Sequence, residues 1–582
     1  MQTYTTPGGV KVPPNANAVT QLKLRADAAP DHPALAYRDG DSFTTVSTAD
    51  FWTTVREIAA GLVAAGVNQG DRVALFSGTR IEFTYFDYAI WAAGAATTTI
   101  YETSSADQVE WIISDSGSVV LISENDATTE TYREVADALP NCKSVFSIED
   151  GAVEVLSDMA TDVTRAEVDA RVAAIAHDDL ATLVYTSGTT GKPKGCILTH
   201  YNFAWEVENL DGSVAELTTP GNRTLMFLPL AHIFARAVQS VCVSKGVTIY
   251  YSSGIPNLLE ELPMSKPTWV FSVPRVFEKI YNGAKAKADA DGKGAIFDRA
   301  AATAIAYSQG IERGKVGFGV KAQHALFDKL VYGKLRAVFG GDVKYAISGG
   351  AALGARLGHF FRGIGIVALE GYGLTETTAG ATINQPGAIR VGSVGRPLPG
   401  ASIRIAEDSE VMIKGGMVFA GYWNNDEATR GALTEDGWFH SGDLGALDDE
   451  GFLSITGRKK EIIVTAAGKN VAPAVLEDRM RSNPLVSQVM VIGDAKPFIA
   501  ALVTLDEEAL PQWAAANDKG DLSPDELLAD EDLHSEIQSA VDYGNKAVSH
   551  AEAVKEFRIL PTDLSIEGGE LTPTLKVKRS VV

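Results

Sequence analysis

The chain has 582 residues, of which 45% are hydrophobic and 21% are charged, a composition typical of folded globular proteins. Its length is compatible with several domain-sized units and a large buried core. The formal net charge of −23 argues against a nucleic-acid-binding protein, because such proteins hold the phosphate backbone with clustered Lys and Arg. Nucleic acid is therefore not an expected partner.

The first twenty residues are polar and rich in Pro and Gly, so they lack the charged-then-apolar pattern of a secretory signal. No apolar run of 18 or more residues occurs, and no transmembrane segment is predicted. The three cysteines, Cys142, Cys196 and Cys242, are too far apart for a paired metal-binding motif, and we interpret them as reduced structural thiols. We expect a cytoplasmic monomer or homodimer, and peripheral contact with the inner face of the membrane stays open.

Short β-branched runs alternate with Ala-rich segments of helical period between about residues 45 and 430. This alternation predicts an α/β fold with mixed or parallel sheets flanked by helices. Residues 284–335 combine Ala, Lys and Asp with apolar residues at helical spacing, which predicts a helical insertion. The predicted strands are residues 72–77, 119–123, 181–186, 247–251, 269–272 and 343–348.

The pattern changes near residues 457–461. Beyond it we predict a short helix from Pro473, strands around 488–492 and 498–505, and acidic helices through about Val554. The chain is therefore expected to form a large N-terminal domain of several subdomains, residues 1–457, and a small α+β C-terminal domain, residues 458–582.

The segment from Thr186 to Gly195 follows an apolar strand and contains three glycines, four hydroxyl-bearing residues and two lysines. Glycines let successive backbone N–H groups point at an anion, hydroxyls donate hydrogen bonds to it, and lysines neutralise its charge. Lys192 is followed by proline, so this is not a Walker A loop. The alternative is that the segment is an ordinary Gly/Ser/Thr turn that binds no phosphate. The residues predicted to hold an oligophosphate are Thr186, Ser187, Gly188, Thr189, Thr190, Gly191, Lys192 and Lys194.

Residues 185–195 resemble the phosphate loop of the adenylate-forming superfamily, which comprises acyl-CoA synthetases, peptide-synthetase adenylation domains and luciferases. The resemblance extends over nearly the whole chain from about residue 20. Its further motifs are Ser-Gly-Gly-Ala at 348–351, Glu-Gly-Tyr-Gly-Leu-Thr-Glu-Thr at 370–377, Ser-Gly-Asp at 441–443, Gly-Arg-Lys-Lys-Glu at 457–461 and residues 571–579.

The resemblance implies a nucleotide site assembled from these motifs. Tyr372 would stack on adenine, Thr375 would reach the α-phosphate, and Glu376 would hold Mg²⁺ with the hydroxyl of Thr186 as a co-ligand. Asp443 would accept hydrogen bonds from the ribose hydroxyls. The other implied nucleotide-binding residues are Gly349, Gly350, Ala351, Glu370, Gly371, Gly373 and the ribose-contacting Arg458.

Two lysines near the C-terminus carry the remaining implications of the resemblance. Lys460 matches the hinge about which the small domain is mobile, and Lys576 matches the catalytic lysine that bridges the substrate carboxylate and the α-phosphate. Most relatives have glycine before that lysine, whereas Leu575 stands here, so Lys578 is the alternative.

The predicted activity is that of a long-chain fatty acid–CoA ligase. ATP and a fatty acid would give acyl-AMP and pyrophosphate, and coenzyme A would then displace AMP without a side-chain nucleophile. His232 matches a motif at the carboxylate end of the acyl pocket, and residues 273–279 with the insertion resemble long-chain synthetases. The preferred length of the acyl chain stays open. The alternative is an acyl-AMP ligase or adenylation enzyme that loads a carrier protein, and no carrier-like segment follows Arg579.

Overall fold

A computed structural model describes residues 2–186, 192–466, 468–566, 568–572 and 576–582 of the chain. The strands, in chain order, are β1 (Gln2–Thr5), β2 (Pro33–Asp39), β3 (Ser42–Ser47), β4 (Arg72–Phe76), β5 (Ala96–Ile100), β6 (Val120–Ser123), β7 (Ser144–Ser147), β8 (Leu180–Thr186), β9 (Lys194–Thr199), β10 (Arg223–Met226), β11 (Thr248–Tyr251), β12 (Trp269–Ser272), β13 (Tyr345–Ser348), β14 (Val367–Tyr372), β15 (Thr382–Ile383), β16 (Arg396–Pro397), β17 (Ser402–Ile405), β18 (Glu410–Lys414), β19 (Gly421–Tyr422), β20 (Phe439–Leu447), β21 (Leu453–Arg458), β22 (Ile463–Val464), β23 (Asn470–Val471), β24 (Val486–Ile492), β25 (Ile499–Leu505) and β26 (Val554–Ile559).

The α-helices cover the faces of these sheets. In chain order they are α1 (Ala18–Ala28), α2 (Thr48–Ala64), α3 (Ile81–Ala92), α4 (Ala106–Ser116), α5 (Asp126–Arg133), α6 (Ala152–Met159), α7 (Asp162–Ala174), α8 (His200–Thr218), α9 (Ile233–Lys245), α10 (Leu258–Ser265), α11 (Pro274–Ala290), α12 (Gly294–Glu312), α13 (Phe318–Phe327), α14 (Gly333–Val338), α15 (Ala355–Gly363), α16 (Asp426–Ala432), α17 (Pro473–Met480), α18 (Ala509–Ala516), α19 (Pro524–Leu528) and α20 (Glu531–Asn545).

The largest sheet has the order β19-β9-β8-β5-β4-β6-β7, with β4 to β8 parallel and β9 antiparallel to β8. Its central strands are buried on both faces, which explains why they appear in the sequence as continuous apolar runs. The β8–β9 pair places Thr186 opposite Lys194. Both ends of the predicted phosphate loop are therefore fixed by the sheet.

A second sheet, β12-β13-β14-β15-β16, begins with three parallel strands. Ser348 of β13 pairs with Glu370 of β14, so the segments that follow both strands leave the same edge of the sheet. Ligands of open α/β sheets bind at this carboxyl edge. The fold thus brings the 348–351 and 370–377 motifs together.

Two smaller sheets complete the N-terminal part, with the orders β10-β11-β2-β3 and β1-β17-β18-β20-β21. In the second of these, Asp443 of β20 lies opposite Arg458 of β21. The α/β fold class and the predicted strands are confirmed, and the helical insertion is also confirmed as α12 to α14 together with the end of α11.

The C-terminal part has its own buried core, formed by residues between Ile463 and Val554. Its sheet has the order β24-β25-β26, with α17 and α20 packed together beside it. The prediction of helices through about Val554 was wrong at its end, because the last helix stops at Asn545 and Val554 begins a strand parallel to β25. The mixed polar and apolar sequence of β26 reflects a strand with an exposed face.

No helix in the described part of the chain is long and apolar enough to cross a membrane.

A buried ion pair joins the largest sheet to the helices on its face. Asp87 of α3 and Arg236 of α9 are both fully buried, and Arg236 Nη2 and Nε donate to the Asp87 carboxylate at 2.5 and 3.1 Å. Arg236 also donates to Thr182 of β8, and its guanidinium lies over the ring of Trp91. This network orients β8 and α9, the two elements that flank the candidate site.

We expect Asp87→Ala to destabilise the fold by about 3–5 kcal/mol, because it leaves the buried Arg236 without its counter-charge. Urea unfolding followed by tryptophan fluorescence measures the loss. Asp169→Ala, which breaks the exposed pair with Arg56, is the control and is expected to cost less than about 1 kcal/mol. Equal stability of the two variants would contradict the role of the buried pair.

Candidate active site

A cavity of about 810 Å³ lies where the carboxyl edge of the second sheet meets β8, α9 and the C-terminal part of the chain. This volume is in the range of small-molecule and cofactor sites. Residues far apart in the sequence contribute to its wall. The predicted site residues that line it are Thr186, Lys194, His232, Gly349, Gly350, Gly371, Tyr372, Gly373, Thr375, Glu376, Asp443, Arg458, Lys460 and Lys576.

The phosphate-loop prediction is only partly within the described residues. Thr186 and Lys194 line the cavity, and Lys194 Nζ lies 5.1 Å from the centre of the Tyr422 ring. Lys192 Nζ lies 4.2 Å from the centre of the Trp111 ring and is not part of the cavity wall. Ser187, Gly188, Thr189, Thr190 and Gly191 lie outside the described residues, so their assignment stays a prediction.

The edge of the second sheet supplies a narrow, glycine-lined wall. A side chain at Gly373 would place its Cβ 1.9 Å from the carbonyl oxygen of Ala379, so only glycine fits there. Gly350 has φ +85°, a conformation that glycine adopts without strain. A flat ring could approach the backbone at this wall.

Tyr372 and Asp443 meet across the cavity. The Tyr372 hydroxyl donates to Asp443 Oδ2 at 2.6 Å, and Arg458 Nε lies 3.2 Å from Asp443 Oδ1. Burial raises the pKa of Asp443, while Arg458 and Tyr372 oppose that rise. Each carboxylate oxygen retains a second lone pair, so a ligand diol can still donate to Asp443.

Besides Lys192, two residues of the predicted set lie away from the cavity wall. Ala351 is exposed beyond the turn that carries Gly350. The Glu370 side chain points behind the sheet edge and accepts a hydrogen bond from the Leu353 N–H at 3.1 Å. Burial raises the pKa of Glu370 to about 7. The position of Glu370 indicates that it supports the glycine-lined wall and does not face the cavity.

Thr375 and Glu376 lie on a short 3₁₀ turn that follows β14. The Tyr422 hydroxyl donates to Glu376 Oε1 at 2.7 Å, and the Phe419 N–H donates to the Glu376 carbonyl at 2.8 Å. The carboxylate is thereby held at the wall of the cavity, which Thr186 also lines. A carboxylate and a hydroxyl are oxygen donors of the kind that Mg²⁺ prefers, so these two residues fit a magnesium ion.

His232 caps α9, because its Nδ1 accepts a hydrogen bond from the Phe234 N–H at 3.2 Å. Burial, and then the charge of Lys576, lower the pKa of His232 to about 3. The ring is therefore neutral at ordinary pH. With Nδ1 acting as an acceptor, the proton lies on Nε2 and is available to a ligand.

Lys576 lines the cavity next to Val577, which forms an antiparallel bridge with Leu571. The Thr572 N–H donates to the Lys576 carbonyl at 2.8 Å, and the Lys576 N–H donates back to Thr572 Oγ1 at 3.0 Å. Burial lowers the pKa of Lys576 to about 8. Arg458 lowers it as well, and Asp443, Glu461 and Glu376 oppose that fall. Lys578 also lines the cavity, so the choice between the two lysines rests on the carboxylates that face Lys576.

Among the cavity residues that sequence reasoning missed are Tyr422, Glu410 and Glu206. Tyr422, which orients Glu376, lies in a Gly-Tyr-Trp run that could have drawn attention. Glu410 accepts hydrogen bonds from Gly442 N–H at 3.0 Å and Lys459 Nζ at 3.2 Å, and it supports the Asp443 turn. Glu206 lies on the buried side of α8, where a helical pattern gives no sign that the side chain faces a cavity.

Comparison with known families matches both parts of the chain. The model of the AMP-binding enzyme family matches residues 22–423, and the model of the AMP-binding enzyme C-terminal domain matches residues 460–582. The first region carries the 185–195, 348–351 and 370–377 motifs, the second carries Lys460 and Lys576, and Asp443 and Arg458 lie between the two.

Individual proteins match over nearly the whole length. The chain is 52% identical over 544 residues to the long-chain-fatty-acid–CoA ligase FadD15 of Mycobacterium bovis, which covers 93% of this chain and 90% of that protein. The fatty acyl CoA synthetase structure of Mycobacterium tuberculosis has a TM-score of 0.63 and 25% identity and covers 97% of both chains. The O-succinylbenzoate coenzyme A synthetase of Bacillus subtilis, solved with ATP and a magnesium ion, shares the fold with a TM-score of 0.69, 22% identity and coverage of 98% and 99%.

We expect the amine of Lys576 to titrate near pH 8, well below the value of about 10.4 for exposed lysines, because its charged form is partly desolvated. Competitive labelling with acetic anhydride over a pH series, read by mass spectrometry, measures this. Arg458→Met should raise the midpoint because it removes a like charge, and Asp443→Asn should lower it. Titration of Lys576 together with the surface lysines would contradict the described environment.

Proposed function

This chain belongs to the AMP-binding enzyme family, and we propose on that basis that it is a long-chain fatty acid–CoA ligase. In the first step, a fatty acid carboxylate attacks the α-phosphate of ATP, and acyl-AMP and pyrophosphate form. In the second, the thiol of coenzyme A attacks the acyl carbonyl and AMP leaves. The observation that carries the proposal is the convergence of Lys576, Glu376 and His232 on one cavity from three distant parts of the chain.

The first step brings two anions together, so its main requirement is positive charge at the reacting centre. We assign this role to Lys576, whose ammonium would bridge the substrate carboxylate and the α-phosphate. Thr375 would donate a hydrogen bond to the α-phosphate. The neutral His232 would donate a hydrogen bond from its Nε2–H to the carboxylate of the fatty acid. The pKa of about 8 leaves most Lys576 side chains charged at neutral pH, and a bound polyanion favours that form further.

The nucleotide would lie along the glycine wall. Tyr372, oriented by its hydrogen bond to Asp443, would stack on adenine, and Asp443 with Arg458 would bind the ribose. Thr186 and Glu376 would hold Mg²⁺, which supplies charge neutralisation on the phosphates when it is bound. The loop from Ser187 to Lys194 would wrap the phosphates.

The acyl chain would occupy the apolar side of the same cavity. Phe234, Val238 and Leu210 line it together with Ile383 and Leu398. These side chains lie on α8, α9 and the edge of the second sheet. An apolar channel of this kind suits a long hydrocarbon chain, because burial of each methylene is worth about 0.8 kcal/mol.

We also propose that residues 1–457 and 458–582 are the two domains, with a hinge at Lys460 about which the small domain rotates between the two steps. Lys460 lies on the Lys459–Glu461 turn and lines the cavity. The domains meet through side chains that can part: Arg275 Nη2 donates to Asp506 Oδ2 at 3.0 Å, and Lys279 Nζ lies 3.6 Å from Glu508 Oε1. With Lys576 in the cavity, this arrangement suits the first step.

We further propose that the protein works in the cytoplasm and contacts the membrane surface to collect its substrate. The insertion surface, formed by Phe318, Leu326, Leu330, Lys321 and Lys329, supports this. Phe318 is 87% exposed, and Leu326 and Leu330 are each more than half exposed. Between residues 313 and 334 there are five basic residues and one acid, in a chain of net charge −23. Exposed apolar side chains flanked by lysines suit an anionic bilayer.

Purified protein should release AMP and form acyl-CoA only when ATP, Mg²⁺, coenzyme A and a long-chain fatty acid are all present. Lys576→Ala should lower fatty-acid-dependent exchange of pyrophosphate into ATP by about a hundredfold, because it removes charge from the reacting centre. The same variant should still convert supplied acyl-AMP to acyl-CoA.

Lys578→Ala is the matched control and should keep most of the exchange activity. A fatty-acid length series with AMP release as the readout defines the preferred chain. Undiminished exchange in Lys576→Ala would overturn the role of this lysine, and absence of acyl-CoA with every acid would overturn the proposed function.

The wild-type protein should sediment with vesicles of phosphatidylcholine and phosphatidylglycerol, and binding should fall as salt rises because the lysines are screened. Phe318→Asp combined with Leu326→Asp should abolish sedimentation. Val163→Asp, at a position on α7 that is 76% exposed, is the control and should bind as the wild type does. Equal loss in the control, or no sedimentation of the wild type, would contradict membrane contact.

A further inference from the structure

One residue of the cavity wall has no role in the two-step reaction. Glu206 lies on α8, and its side chain is 3% exposed. It lines the same cavity as Leu210 and Val238. An acidic residue among apolar residues that face a hydrocarbon chain is unexpected, because burial of a polar group costs free energy unless a partner satisfies it.

The contacts of Glu206 place its carboxyl group beside the apolar channel. A Cβ built at Gly380 would lie 2.3 Å from Glu206 Oε1 and 3.6 Å from Leu398 Cδ1. Glu206, Gly380 and Leu398 are therefore neighbours, and the carboxyl group packs against the backbone that links the Thr375–Thr377 turn to β15. The absence of a side chain at Gly380 provides the space that the carboxyl group occupies.

The hydrogen-bonding capacity of this carboxyl group is not used by the described residues. Glu206 Oε2 is buried and has no hydrogen-bond partner among them, and no basic side chain in the described part of the chain pairs with it. Burial raises the pKa of Glu206 well above its usual value and so favours the protonated form. A protonated carboxyl group has one donor and retains acceptor capacity.

Buried polar groups in folded proteins are nearly always satisfied, and those that are not call for an explanation. An unsatisfied carboxyl group at the wall of a ligand cavity can be satisfied by the ligand. A saturated chain offers it only methylene groups. A hydroxyl group on the ligand can form two hydrogen bonds with Glu206. It accepts one from the Glu206 O–H and donates one to the Glu206 carbonyl oxygen.

We propose that Glu206 is a specificity-determining residue that binds a hydroxyl group on the acyl chain, so that hydroxylated fatty acids are the preferred substrates of this ligase. The inference rests on the proposed function. A charged amino or carboxylate substituent fits less well, because the apolar surroundings of Glu206 provide nothing to solvate an ion. The site is thus selective for a neutral polar group.

The test compares kcat/KM for hexadecanoic acid with that for its monohydroxylated isomers, with the hydroxyl placed at successive carbons. In the wild type, at least one isomer should be preferred over hexadecanoic acid by on the order of tenfold, because it pairs the otherwise unsatisfied carboxyl group. In Glu206→Leu this preference should vanish, because the side chain can no longer form hydrogen bonds with the hydroxyl group. Glu206→Gln should retain part of the preference, because an amide both donates and accepts.

Glu208→Gln is the matched control on the same helix, because Glu208 Oε2 lies 3.5 Å from Lys245 Nζ and does not line the cavity. It should keep the wild-type preference. Thermal melting checks folding, and Glu206→Leu should melt at the same temperature or higher, since it replaces an unsatisfied polar group. Glu206→Met serves as a second apolar variant should Glu206→Leu not fold.

An unchanged preference ratio in Glu206→Leu or Glu206→Met, or a wild type that favours no hydroxylated isomer, would overturn this inference while leaving the ligase function intact. If the wild type forms acyl-CoA from none of the acids, the proposed function fails and this inference fails with it.

Discussion

The interaction on which the site depends is that of the Lys576 ammonium with the carboxylates around it. Asp443 and Glu376 come from the N-terminal part of the chain, and Glu461 is the last residue of the Lys459–Glu461 turn. These acids oppose the burial that lowers the pKa of Lys576, so the lysine stays largely charged at neutral pH although it is partly desolvated. The same charge helps to keep His232 neutral. One lysine thus sets the protonation of both sides of the cavity.

This electrostatic arrangement requires a rigid frame on one side and a movable part on the other. The buried Asp87–Arg236 pair and the paired strands β8 and β9 fix the wall that carries His232 and Thr186. Lys576, by contrast, is carried by a part of the chain that has its own core and meets the rest through ion pairs at its surface. Interfaces of this polar kind can separate at modest cost. The geometry is therefore consistent with one cavity that serves two successive reactions.

The acyl side of the cavity follows a different physical rule. Its wall combines Leu210, Val238 and Leu398 with Glu206, whose carboxyl group lies against Gly380 without a partner among the described residues. The charged groups near Lys576 favour the reaction centre of any carboxylic acid, whereas Glu206 distinguishes one acyl chain from another. Reactivity and selectivity are thus assigned to separate parts of one cavity.

The sequence by itself determined the α/β class, the strands and the motifs of the nucleotide site, because these depend on local periodicity and on residue types at fixed spacing. Val343–Ser348 could be identified in this way as a strand that ends at the 348–351 motif. The tertiary structure decided what depends on contacts between distant residues. In the folded protein, Glu370 lies behind the sheet edge and the Tyr422 hydroxyl donates a hydrogen bond to Glu376. Glu206 lines the cavity on the side proposed for the acyl chain. A helical pattern tells which side of α8 is buried, but only the packing of α8 beside the cavity decides whether that side meets protein or ligand.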